Sequence, residues 1–167
     1  MLKKIISCIL ICSIHLAAYD IVVDIKNCKM KFYNNGSLIS EYNVATIKPG
    51  LPIPNDGVIT KVEMMPTWYP TEKTIEYFKN HKGINLPKSV PAGHPQNYMG
   101  PFKITMTNST SSRGSVYRIH GNIDESTIGK RSSGGCVRMY NKEGTEFAKE
   151  IKNLLDAGEK IRVHYKS

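Results

Sequence analysis

Apolar and polar residues alternate from Ile21 onward, with Ile21, Val23 and Ile25 on one face and Met30 and Phe32 resuming the pattern. The turn Asn34-Asn35-Gly36 then separates this run from Tyr42 and Val44. A period of two broken by an Asn-Gly pair predicts antiparallel strands joined by a tight hairpin, because the central turn residues need positive φ. The next stretch, KPGLPIPNDGVITKVEMMPTWYPT, holds Pro49, Pro52 and Pro54, which forbid helix and favour an extended edge or loop. Thr71 is placed to cap a short helix with Ile75 and Phe78 on one side, stopped near Gly83. After the loop LPKSVPAGHPQNYMG, alternation returns at Phe102, Ile104 and Met106, and SVYRIHG forms a further strand ending at His120.

Beyond VRMYN, Phe147, Ile151, Leu154 and Leu155 fall at i, i+4, i+7 and i+8, one stripe of a helix. Asn141 is its expected N-cap and Gly158 its stop, and KIRVHY closes the chain as a strand. The pattern predicts a mainly β domain with two or three short helices on its periphery.

The opening MLKKIISCILICSIHLAAYD changes the compartment. Two lysines, an apolar run from Ile5 to Ile14 and the small pair Ala17-Ala18 form a secretory signal pattern, with cleavage expected after Ala18. An uncleaved anchor is the alternative, and a lipoprotein at Cys12 is disfavoured by the bulky Ile11 before it. No later segment approaches the roughly 20 apolar residues that a membrane span requires. Residues 19–167, about 150 in all, suffice for one domain with its own core. The expectation is therefore an exported monomer of the periplasm or cell envelope, with no stable membrane span once the signal is removed.

The formal charge of +9 becomes +7 when Lys3 and Lys4 leave (9 − 2 = 7). The remaining positive residues are scattered and no aromatic-basic RNA motif is present, so no nucleic acid is expected as partner. In an exported protein the counterparts are anionic envelope polymers, or the charge is a solvated surface.

Of four cysteines, Cys8 and Cys12 lie in the leader, leaving Cys28 and Cys136. Spacing alone leaves a disulfide between them open. The surroundings of Cys136 point elsewhere. His120 ends a strand and Gly134-Gly135 immediately precede Cys136, in the span HGNIDESTIGKRSSGGC. An imidazole can take a thiol's proton and stabilise the thiolate, while a glycine turn lets a substrate carbonyl approach amide N–H groups. A packed strand histidine and a buried small cysteine are the bland alternative. His81, His94 and His164 lack metal-ligand spacing, and no metal or cofactor is expected.

The stretch IHGNIDESTIGKRSSGGCVRMYN closely resembles the catalytic motif of the L,D-transpeptidase (YkuD-type) family. The likeness is carried by His120, Gly121, Ile128, Gly129, Ser133, Gly135, Cys136, Val137, Arg138 and Met139. It extends outward through IVVDIKNCKMKFYNNG, PIPNDGVITKVEMMPTWYPT and PAGHPQNYMGPFKITM, so that a YkuD-like β-sandwich or barrel-like catalytic domain is implied for residues 19–167. Many members carry histidine, serine or threonine where this chain has Gly134, so a hydrogen bond from that position is missing.

The resemblance implies attack on the bond between a diamino acid and a terminal D-alanine in peptidoglycan stem peptides. Carried over, Cys136 is the nucleophile, His120 its base, and the Gly121 carbonyl orients the imidazole. Backbone N–H groups around Gly135 and Cys136 would hold the oxyanion. D-Alanine leaves, a thioester remains, and an amine of another stem peptide or of an envelope protein makes the product; water would make a carboxypeptidase, and a free D-amino acid an exchange. Carbapenems are expected to acylate the same sulfur. Arg138 either binds a substrate carboxylate or ties down the turn. Ser133 and Gly134 belong to that turn, and Trp68 and Tyr69 either wall the cleft or, for Trp68, join the core. Asp124 and Glu125 read as solvated acids. A sortase fits less well because its histidine lies further upstream, and a non-catalytic peptidoglycan-binding module is the remaining rival.

Overall fold

The computed structural model describes residues 18–108 and 117–167, so residues 1–17 of the expected signal peptide lie outside the described residues. Within the described residues, strands and helices follow in the order β1 (Tyr19–Asp24), β2 (Lys29–Asn34), β3 (Ser37–Asn43), β4 (Thr46–Ile47), β5 (Gly57–Met64), α1 (Glu72–Lys82), β6 (Phe102–Asn108), β7 (Arg118–His120), β8 (Arg131–Ser133), β9 (Val137–Arg138), α2 (Asn141–Asp156) and β10 (Ile161–Lys166). A 3-10 turn at Glu125–Thr127 interrupts the loop after β7.

Eight strands form one sheet in the order β3-β2-β1-β10-β5-β6-β7-β9, and β4 pairs with β8 apart from it. The first hairpin turns at Asn35 and Gly36, both at positive φ as an Asn-Gly hairpin requires. The sheet curls back on itself. From edge strand β3 the chain reaches Ala45 within two residues. Ala45 there exchanges two backbone hydrogen bonds, of 2.8 and 3.0 Å, with Arg138 in β9 at the opposite edge. This tie is what makes the domain barrel-like, since it removes the open edge beside β9.

The proline-rich stretch departs from its expected role as an edge or loop. Its second half is β5, an interior strand between β10 and β6. The register shifts between Ile59 and Lys61, so Thr60 is inserted as a bulge and the period of two is lost at that point. Alternation could not reveal a strand whose pattern the bulge had broken.

The main core lies between the sheet and α2. Phe147 of the helix stripe meets Phe32 edge-on at 5.5 Å and Tyr42 at 5.2 Å, and Ala148 and Ile151 are buried beside it. A smaller cluster of Trp68, Phe78, Leu86 and Val90 packs under the segment that carries α1. Thr71 caps α1 by accepting from the Thr74 N–H, and Gly83 ends it in the left-handed conformation. Asn97 binds the segment together: its amide donates to the carbonyls of Pro66 and Pro91 at 2.9 and 3.0 Å and accepts from the Met99 N–H. Among the described residues no helix is long and apolar enough to cross a membrane.

Candidate active site

The site forms at the β7–β9 edge of the sheet. These strands run parallel, with Ile119 opposite Val137 and His120 opposite Arg138. Paired residues in a parallel ladder share a face and neighbours along a strand alternate. Ile119 and Val137 are buried in the core, so Arg118, His120 and Arg138 belong to the other face. Cys136, directly before β9 and two residues before Arg138, lies beside Arg118, whose backbone hydrogen-bonds to its thiol. Four groups thus converge: a thiol, an imidazole and two guanidinium ions.

His120 is almost wholly buried. Its Nδ1–H donates to the Gly121 carbonyl at 2.6 Å, and because a carbonyl can only accept, Nδ1 carries the proton and the neutral ring keeps its lone pair on Nε2. Burial, together with the charges of Arg138 and Arg118, lowers its pKa from 6.5 to about 3, although the backbone groups of Gly121 and Tyr98 pull the other way. The ring is a neutral base at physiological pH.

The Gly121 peptide is itself clamped. Asn141, the first residue of α2, accepts from the Asn122 N–H at 2.8 Å and donates to the Asn122 carbonyl at 2.7 Å. The expected N-cap role passes to Tyr140, which makes no side-chain cap bond, and the Asn141 amide serves the His120 loop instead. A Cβ on Gly121 would stand 2.4 Å from Asn141 Oδ1 and 2.7 Å from Pro101 Cδ, so only glycine fits. Glu125 accepts from the Asn141 N–H at 2.6 Å, which places one of the two loop acids at the helix start. Asp124 is exposed and accepts from the Ser126 N–H and hydroxyl.

The two glycines before Cys136 differ in kind. Gly135 has φ +141°, and a Cβ there would sit 2.0 Å from the Tyr117 ring. Gly134 is exposed and has no positive φ, and a Cβ added there would meet nothing within 4 Å. Ser133 is buried and its Oγ accepts from the Gly135 N–H at 3.1 Å. The Gly135 amide expected for the oxyanion is therefore already engaged by Ser133. Cys136 is partly exposed. Burial of its sulfur raises the thiol above its ordinary value of 9.0, opposed by the Arg118 backbone and by the charges of Arg138 and Arg118. Thiol and imidazole are therefore both neutral at physiological pH.

No disulfide joins Cys28 and Cys136. Cys28 is buried in the turn between β1 and β2, beside the Thr46 hydroxyl at 3.5 Å. Trp68 is packed in the smaller cluster at 5.2 Å from Tyr98, whose backbone reaches His120, while Tyr69 is 70 % exposed. Of the two readings of Trp68, packing favours the core. Arg118, Tyr117 and Asn141 were missed as site residues, because only the β7–β9 register and the loop's approach to α2 bring them in. Among the described residues no group of three His, Cys, Asp or Glu side chains is placed to hold a metal ion.

The YkuD L,D-transpeptidase catalytic domain family matches residues 18–163. The chain is 33 % identical over 140 residues to the probable L,D-transpeptidase ErfK/SrfK of Escherichia coli, covering 81 % of this chain and 40 % of that protein. The Salmonella typhimurium protein of the same name is 34 % identical over 141 residues, with the same 81 % and 40 % coverage. The chain thus spans about two fifths of the length of these relatives. An L,D-transpeptidase structure from Mycobacterium smegmatis superposes with a TM-score of 0.61 at 14 % identity, over 90 % of this chain and 59 % of that one, a likeness of fold. With its mainly β architecture and the family match running through almost all the described residues, the chain belongs to the YkuD family of L,D-transpeptidase catalytic domains.

Proposed function

We propose that the protein is an exported, cysteine-dependent peptidoglycan L,D-transpeptidase of the cell envelope. The observation that carries this reading is the convergence of Cys136 and His120 on one face of the β7–β9 pair, with the imidazole held by Gly121 so that Nε2 is the basic nitrogen. The Cys136 proton passes to Nε2 as sulfur attacks the carbonyl between the diamino acid and terminal D-alanine of a tetrapeptide stem. The oxyanion draws on the Cys136 N–H, while Ser133 and Gly135 shape the turn that presents it. His120 then gives its proton to the departing D-alanine amine, leaving a thioester on Cys136. An acceptor amine expels the sulfur, which recovers a proton. The fixed Gly121 carbonyl stabilises the transient imidazolium without a carboxylate.

The test measures D-alanine release from tetrapeptide stems together with muropeptides of cell walls from strains with and without the protein. Cys136→Ala should abolish release and His120→Asn should lower it by about 100- to 10,000-fold, the range of general acid–base groups. New cross-links identify a stem-peptide acceptor, a tripeptide product identifies water, and exchanged D-amino acids identify a free acceptor. Carbapenems should add to the wild type and not to Cys136→Ala, as read by intact-protein mass spectrometry. Binding to walls with no release from any tetrapeptide would leave a non-catalytic binding module in its place.

A further inference from the structure

We propose that Arg118 is a specificity-determining residue that binds a second carboxylate of the donor peptide, one carried by the diamino residue itself. The proposal rests on the L,D-transpeptidase reading above. Arg138 takes the other carboxylate, that of the departing D-alanine.

The β7–β9 register separates the two halves of the substrate. The amine that leaves must reach His120, the residue that protonates it, and the strand partner of His120 is Arg138. The acyl half stays on Cys136, and the residue whose backbone hydrogen-bonds to the Cys136 thiol is Arg118. Arg118 and His120 are two residues apart along β7, about 6.6 Å at the rise of a parallel strand.

Both guanidinium ions are available for this. All fourteen Asp and Glu side chains lie among the described residues, since residues 1–17 and 109–116 contain none. The ion pairs they form involve neither Arg118 nor Arg138. Among the described residues the Arg118 head donates from Nη1 to the Tyr117 carbonyl at 2.9 Å, and a guanidinium fork carries further N–H groups able to meet a ligand. Both side chains are half-buried, and each is close enough for its charge to act on His120 and on Cys136. Two cations without a carboxylate partner, beside a neutral thiol and a neutral imidazole, give the site a positive surplus, which a donor with two carboxylates offsets. Planar bidentate pairing selects a carboxylate over a carboxamide, whose NH2 would face the guanidinium donors.

Three synthetic tetrapeptides test this, alike except at the far end of the diamino residue, which bears a carboxylate, a carboxamide or a hydrogen. D-Alanine release is measured with the wild type and with Arg118→Gln, and equilibrium affinity for the same peptides with Cys136→Ala and with Cys136→Ala/Arg118→Gln. The wild type should favour the carboxylate peptide by about 10- to 100-fold in kcat/KM, the worth of one charge-assisted pair. Arg118→Gln should bring that peptide down to the level of the carboxamide one, and Arg118→Lys should recover part of the gap because it keeps the charge and loses the fork. Affinities should follow the same order. Equal handling of the three peptides by the wild type overturns the proposal whether or not the variants fold, and so does a preference that survives Arg118→Gln. If no peptide releases D-alanine, the reaction itself has been misread, and the affinities of the Cys136→Ala pair still decide what Arg118 recognises.

Discussion

Gly134 and Gly135 are neighbours of one residue type with opposite tolerances. Gly135→Ala drives a methyl into the Tyr117 ring at a φ that L residues rarely adopt. It should cost about 2–5 kcal/mol in thermal or denaturant unfolding, summing backbone strain and overpacking. Gly134→Ser meets open space and should stay within about 0.5 kcal/mol of wild type while retaining turnover. The missing side chain at Gly134 is thus a choice the fold does not impose. His120 makes a second prediction at this scale. Its pKa is about 3 in the folded protein against 6.5 ordinarily, so the unfolded chain takes up the proton first as pH falls. The stability it contributes is complete above pH 6.5 and lost progressively towards pH 3. A folded His120→Gln variant should therefore lose less melting temperature than wild type over that interval, as thermal scans would show. Equal slopes would mean that the buried imidazole is not the group that titrates.

Among the elements, α2 does more than cover the sheet. Its apolar stripe buries Phe147 and Ile151, and its first residue, Asn141, holds the loop that aims His120. Asn141→Ala removes two hydrogen bonds to the Asn122 backbone and should cost about 1–3 kcal/mol, with a further fall in turnover because the Gly121 carbonyl is no longer fixed. Asn141→Asp keeps the acceptor for the Asn122 N–H and loses the donor, so it should fall between. Release assays beside melting curves separate the two effects: a variant that loses stability with normal kcat would show the clamp to be structural only. The helix stripe and its Gly158 stop were legible in the sequence, because both are local to one stretch of chain. The target of Asn141 was not, since Asn122 lies nineteen positions away and faces it only after packing.

At the scale of the whole molecule, the closing strand β10 joins the first strand and the middle of the sheet. Arg162 pairs with both oxygens of Asp20 at 2.7 and 2.9 Å, and the His164 ring lies between Asp56 at 2.7 Å and Asp20 at 3.1 Å. The hydrogen bond to Asp56 leads the causes that raise the His164 pKa, and the bond from Arg162 leads those that lower the Asp20 pKa. The histidine contribution is present below pH 6.5 and lost as pH rises through its raised value. The Asp20 contribution is present above pH 3.8 and lost as pH falls through its lowered one. His164→Asn should therefore lower the melting temperature more between pH 3.8 and 6.5 than in mild alkali. Salt should shrink the difference, since the cluster is partly exposed. A uniform shift at every pH would assign His164 to packing alone.

The sequence by itself determined what short-range chemistry can encode. Alternation marked β1, β2 and β6, the Asn-Gly pair placed the first hairpin, Thr71 and Gly83 bounded α1, and the span from His120 to Cys136 carried the family and the two groups proposed to react. Each of these rests on propensity, periodicity or spacing within a few residues. Tertiary structure alone decided that β5 is an interior strand, that Ala45 ties one edge of the sheet to the other, and that Ser133 engages the Gly135 amide. It also placed Arg118 beside Cys136 and Arg138 beside His120. Strand order and register join residues far apart in the chain, and a bulge such as that at Thr60 erases the local pattern that would announce them. The proposed reacting pair was readable because it lies at the ends of one short span, whereas the charges around it depend on which strand folds against which.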